Sequence, residues 1–233
     1  MGGVGTVGVL RGPGAVRQLA RVRVKICGIT NVADAMAAIE AGADALGFVF
    51  VPGTKRAMTA AGAGEICRHL PPMVARVGLF VNATVAEIEE TIAVAGLDTI
   101  QLHGEETAEF AARWLQRVRV IKAFRVRDAA SLAAVPAYYQ ACHAILLDAF
   151  DPAAHGGTGT RFDWSLAELI RGLPKPVIIA GGVRPDNVAE AVRLFRPFAV
   201  DVSSGVEAGP GRKDPEKVRA LVKNAKAAGW LVE

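Results

Sequence analysis

From Val22 onward the chain repeats one alternation eight times. A short run rich in Val, Ile and Ala is followed by a longer Ala/Leu/Glu/Arg segment of helical period. The pattern predicts strands at Val22–Cys27, Ala45–Phe50, Ala75–Val81, Thr99–Leu102, Arg119–Phe124, Ala144–Asp148, Pro176–Ala180 and Phe198–Val202. It predicts helices starting near Asn31, Ala60, Val85, Glu105, Ala129, Ser165, Asn187 and Pro215. Strands apolar on both faces, each returning through a helix, belong to a buried parallel sheet. Eight such units in one chain point to a closed (β/α)8 TIM barrel of the α/β class, with a doubly wound open sheet as the alternative.

Local signals agree. Asn31 to Asp34 and Thr84 to Glu87 have capping-box spacing. Asp186-Asn187 and Asp214-Pro215 fit helix starts, and Gly42 and Gly96 fit left-handed helix ends. The 233 residues are 52% hydrophobic and 21% charged, enough apolar surface to exclude global disorder. Only 6% are aromatic, so the core is built from Ala, Val, Leu and Ile. Residues 1–21 hold six glycines and no clean period, and are expected to be a flexible extension to a single barrel domain spanning 22–233. Within it, Gly3 to Gly8 matches G-x-G-x-x-G, but neither a preceding strand nor a following helix supports a dinucleotide site.

The net charge is +4, which suits an anionic small molecule and is too weak to argue for nucleic acid. Cys27, Cys67 and Cys142 form neither a disulfide framework nor a zinc knuckle, so a reducing cytoplasm is expected. There is no apolar run of membrane-spanning length, and the N-terminal segment makes a poor signal peptide.

In a barrel, chemistry collects at the C-terminal ends of the strands. The first strand ends Lys25-Ile26-Cys27, with Lys25 and Cys27 on one face, taken as inward. Cys27 reads either as a small buried hydrophobe or as a thiol whose pKa is lowered by Lys25 and the helix start that follows. Arg56, after the second strand, reads as a bidentate carboxylate grip or as a solvated cation. Gln101 and His103 share a face at the fourth strand's mouth, with a satisfied core histidine as the other reading. Asp148 closes an apolar run. It is an acid or base candidate if burial raises its pKa, and otherwise a cap. The loop 155–160 is glycine-rich. Gly181-Gly182 and Ser203-Ser204-Gly205, with Asp201 just before, end the last two strands, where barrels of this type bind phosphate. No metal-ligand spacing and no Ser-His-Asp elbow is present. The residues alone reach as far as cofactor-free acid–base chemistry on a phosphorylated small molecule.

These motifs in this order are Lys25-Ile-Cys-Gly-Ile-Thr30, Gly47-Phe-Val-Phe50 with Arg56, Val77-Gly-Leu-Phe-Val-Asn82, Gln101-Leu-His-Gly-Glu105, Leu147-Asp148, Gly156-Gly-Thr-Gly159, Ala180-Gly-Gly182 and Asp201-Val-Ser-Ser-Gly-Val-Glu207. Together they resemble the phosphoribosylanthranilate isomerases of tryptophan biosynthesis, over about residues 22–230. The resemblance implies an Amadori isomerisation, the third step from chorismate to tryptophan, with no cofactor and no metal. It implies Cys27 as general base, Asp148 as general acid, and Arg56 on the anthranilate carboxylate. It also implies phosphate loops at Gly181, Gly182, Ser203, Ser204 and Gly205, with His103, Gln101 and Asp201 lining the site. The expected partner is the phosphorylated substrate, with no nucleic acid or membrane, on a monomer or homodimer. One departure is the small Ala57 after Arg56, where the family commonly carries a larger residue. The sister aminoaldose isomerase of histidine synthesis is expected to have aspartate where Cys27 stands. Pentose-phosphate epimerases need strand-end histidine ligands that only His103 offers, and a decayed, non-catalytic barrel would have lost the acid or the base.

Overall fold

The computed structural model describes residues 19–149 and 164–231. The G-x-G-x-x-G motif, most of the expected extension and the loop 155–160 lie outside the described residues. Eight parallel strands form a closed barrel: β1 (Arg23–Cys27), β2 (Ala45–Val49), β3 (Ala75–Phe80), β4 (Thr99–Leu102), β5 (Arg119–Val126), β6 (Ala144–Ala149), β7 (Val177–Ala180) and β8 (Ala199–Val202). Each pairs with its sequence neighbour, and β1 pairs with β8 through Arg23↔Ala199 and Lys25↔Asp201, which removes every edge. Among the described residues seven α-helices return the chain: α1 (Val32–Glu40), α2 (Ala60–Cys67), α3 (Val85–Ala95), α4 (Ala108–Ala112), α5 (Trp164–Arg171), α6 (Val188–Phe195) and α7 (Pro215–Ala227).

The period of two divides each strand between two layers. Val77, Ile121, Ala123, Ala144, Leu146, Ile178 and Ala199 belong to an interior cluster. Val24, Ile26, Leu46, Phe48, Ile100, Ile145, Ile179 and Val200 belong to a larger one that also contains the buried helix faces. Helices α2 and α3 meet at Gly64, where an added Cβ would stand 2.7 Å from the Val94 carbonyl oxygen.

Two expected helices differ. The fourth begins only after Thr107, whose side chain accepts from Phe110 N, because Glu106 is drawn into a buried pair with Lys122 at 3.0 Å. In place of a helix from Ala129 there are two 3-10 turns, Ala129–Leu132 and Val135–Tyr138. Asp128 and Ser131 cap each other there, and Pro136 has no N–H to extend a helical ladder. The Thr84–Glu87 capping box forms in full. In α1 only half of the box forms: Asn31 caps Asp34 N, and the Asp34 carboxylate accepts from Lys213 N at 2.8 Å. At the far end of the chain, Leu19–Ala20, inside the expected extension, pair antiparallel with Trp230–Leu231.

Candidate active site

One cavity of about 300 Å³ opens at the C-terminal ends of the strands, and Cys27, Arg56, Gln101, His103, Asp148, Gly181, Gly182, Asp201, Ser203, Ser204 and Gly205 all line it. The strand pleat aims the first of these inward. Lys25 and Cys27 project into the barrel, and Gly47 on β2 leaves them room: a Cβ there would meet Cys27 Sγ at 2.9 Å and Lys25 Cε at 3.1 Å.

Lys25 is 3% exposed and spans the barrel. Its Nζ donates to Asp201 Oδ2 at 2.9 Å and to Gln101 Oε1 at 2.9 Å. Gln101 Nε2 lies 3.0 Å from His103 Nδ1, and His103 Nε2 lies 3.3 Å from Asp148 Oδ2. A polar chain thus runs from β8 through β1 and β4 to β6. The other Asp201 oxygen, Oδ1, is buried and makes no hydrogen bond among the described residues.

The expectation that Lys25 lowers the Cys27 pKa is not met. Burial pushes the thiol up, and it outweighs the attraction of Lys25 because Asp201 both neutralises Lys25 and repels a thiolate. Asp148 is also less enclosed than expected. Its side chain is 32% exposed, because it sits at the lip of β6, where the strand opens into the cavity.

Arg56 is neither a solvated cation nor a free one. Its Nε and Nη2 donate to the two carboxylate oxygens of Glu207 at 2.7 and 2.6 Å. Glu207 also accepts from the fully buried Lys213 Nζ at 2.9 Å, and Lys213 reaches the Ser203 carbonyl. Burial alone would raise the Glu207 carboxyl, but Arg56 and Lys213 hold it down at about 2. The arginine stem crosses Gly28, where a Cβ would meet Arg56 Cδ at 2.5 Å and where φ is +75°. Ala57 is exposed and is absent from the cavity wall, on which Thr54 and Arg56 stand instead. Glu207 and Lys213 escaped the sequence reading because Arg56 and Glu207 are 151 positions apart and share no local pattern.

The phosphate-loop candidates line the same cavity, and Ser203 Oγ and Arg56 Cδ both approach Gly28. Gly181 and Gly182 take φ of +80° and +64°, and nothing lies within 4 Å of a Cβ built at Gly182. Gly205 admits no side chain, since a Cβ would fall 2.0 Å from the Val183 carbonyl oxygen. Ser204 opens a 3-10 turn, Ser204–Val206. Among the described residues no group of His, Cys, Asp or Glu has the geometry of a metal site.

A family model described as N-(5′-phosphoribosyl)anthranilate (PRA) isomerase matches residues 24–224, which includes all eight strands apart from the first residue of β1. The chain belongs to the N-(5′-phosphoribosyl)anthranilate isomerase family. An N-(5′-phosphoribosyl)anthranilate isomerase of Citrifermentans bemidjiense is 55% identical over 204 residues, 88% of this chain and 97% of the relative. A crystal structure of phosphoribosylanthranilate isomerase in complex with reduced 1-(o-carboxyphenylamino)-1-deoxyribulose 5-phosphate superposes with a TM-score of 0.80. It is 43% identical and covers 88% of this chain and 99% of that one. A structure of monomers generated from the dimeric phosphoribosylanthranilate isomerase of Thermotoga maritima gives a TM-score of 0.79 at 42% identity, over 88% and 99% of the two chains. No helix among the described residues is long and apolar enough to cross a membrane.

Proposed function

We propose that this cavity carries out the isomerase reaction of its family, with Asp148 as general acid, Cys27 as general base and Arg56 as the carboxylate ligand. The reaction is the Amadori rearrangement of N-(5′-phosphoribosyl)anthranilate to 1-(2-carboxyphenylamino)-1-deoxyribulose 5-phosphate, a step of tryptophan biosynthesis. What supports the assignment is convergence: side chains from β1, β4, β6 and β8 and from the loops after β2, β7 and β8 meet on one cavity wall.

Asp148 gives its proton to the furanose ring oxygen, the C1′–O bond breaks, and the anilinic nitrogen lone pair forms the Schiff base. Cys27, as thiolate, removes the C2′ proton, and the electron pair moves through C1′ to nitrogen to give the enolamine. Ketonisation moves the C2′ hydroxyl proton away and returns one to C1′, so the atoms balance and nothing is oxidised overall. Proton transfers of this kind contribute about 10²–10⁴-fold each. Arg56 meets the anthranilate carboxylate from its pairing with Glu207, and the glycine and serine loops after β7 and β8 take the phosphate. The bare Oδ1 of Asp201 is suited to accept from a hydroxyl of the opened sugar. All three cysteines are free and buried, which fits a reducing cytoplasm. Light scattering on the purified chain separates monomer from homodimer.

The test is loss of anthranilate fluorescence as the chain consumes freshly made substrate in EDTA. Wild type turns over. Cys27→Ser and Asp148→Asn each fall by about 10²-fold or more in kcat, while Arg56→Ala loses mainly in KM. A folded wild-type chain without turnover overturns the reading.

A further inference from the structure

We propose that Lys25 and Gln101 are positioning residues that lock His103 in its Nε2–H tautomer and thereby aim a hydrogen-bond donor at Asp148. What each group is able to donate fixes the whole chain of contacts. An ammonium has donors and no acceptor. Lys25 Nζ, at 2.9 Å, therefore requires the oxygen of the Gln101 amide on its side. That fixes which end of the amide faces His103: the NH2 group, 3.0 Å from Nδ1. An amide NH2 only donates, so Nδ1 accepts. A neutral imidazole with a bare Nδ1 carries its proton on Nε2, the nitrogen 3.3 Å from Asp148 Oδ2.

Burial makes the arrangement one-way. Gln101 is 0% and Lys25 3% exposed, so no water competes to turn the amide over. Asp201 anchors the chain at its other end by holding Lys25. The catalytic consequence rests on the assignment of Asp148 as acid. With Oδ2 facing His103 Nε2–H at 3.3 Å, the acidic proton is placed on Oδ1, so one oxygen is kept free for transfer to the ring oxygen. The lysine one layer below Cys27 thus serves the acid on the far side of the barrel.

The test is 15N NMR of the histidine side chains of the intact chain at about pH 8, above the ordinary imidazole range. The His103 signals are identified by their loss in His103→Asn. In wild type, Nδ1 is expected in the range of an unprotonated ring nitrogen and Nε2 in the N–H range. In Gln101→Glu the side chain offers only acceptors, so Nδ1 gains a proton. In Gln101→Met nothing fixes the ring, and the two nitrogens move toward averaged shifts. A wrong tautomer costs up to about 10⁴-fold when the histidine is itself the base. Acting one residue removed, both variants are expected to lose about 10–10²-fold in kcat with KM nearly unchanged. A wild-type Nδ1–H signal overturns the proposal without any variant, as does a Gln101→Glu spectrum identical to wild type. The wild-type spectrum stands whether or not the chain turns over phosphoribosylanthranilate, so this proposal and the assigned reaction fail separately.

Discussion

Glu207 carries two cations, and its pH behaviour follows from that. An unfolded glutamate titrates near 4.5, while in the fold Arg56 and Lys213 overcome burial and hold it at about 2. A depressed carboxyl contributes stability that is complete above about pH 4.5 and is lost as the pH falls toward 2. Glu207→Gln is therefore expected to cost on the order of 3 kcal/mol at neutral pH, since it also leaves Lys213 buried without its counter-charge. Urea unfolding from pH 7 to pH 3 checks this: the gap between variant and wild type should narrow on acidification, and parallel curves would sink the idea. Cys27 has the opposite sign. Burial holds the thiol above the ordinary cysteine range, so kcat/KM should still be climbing at about pH 9, and Cys27→Ser should flatten that limb. A plateau by neutral pH would show a thiolate already formed. The positions of Cys27, Gln101, His103 and Asp148 were legible, because a period of two and a strand end locate a side chain without coordinates. The sign of the Cys27 shift was not, because it depends on how much water is excluded and on Asp201, a group from the other end of the barrel.

At the level of elements, Gly64 reverses an ordinary rule. A glycine inside a helix is normally improved by alanine, by up to about 1 kcal/mol. Here the added Cβ would stand 2.7 Å from the backbone oxygen of Val94, which has no rotamer to give. Gly64→Ala is expected to destabilise by about 1–3 kcal/mol by forcing α2 and α3 apart. A rise in Tm would show that the two helices yield more easily than this. The strands were legible to within two residues at either end, since consecutive apolar β-branched residues are hard to place elsewhere. The weak helices were not. Glu106 reads as a helix former, yet it is committed to Lys122 and to the amides of Asn82 and Gly104. The segment after Asp128 is alanine-rich, yet its caps and Pro136 keep it to short turns.

Over the whole molecule, closure of the sheet leaves the cavity as the place where seven of the eight units meet, and the αβ loops at the opposite end are free of that duty. The pairing of Leu19–Ala20 with Trp230–Leu231 lies outside the barrel sheet. Leu19 stands opposite Leu231 and Ala20 opposite Trp230, the register that a two-residue type I′ turn would close. An Asn-Gly link from Leu231 to Leu19, made in place of residues 232–233 and 1–18, would join the two paired segments into an ordinary hairpin, and new ends are available between Pro72 and Met73, an exposed stretch before β3. Such a circular permutant is expected to keep its turnover and to lose only a few degrees in Tm, as fluorescence assay and calorimetry would report. In such a permutant the ribbon becomes a seam in a ring, and the third unit stands first in the order of synthesis.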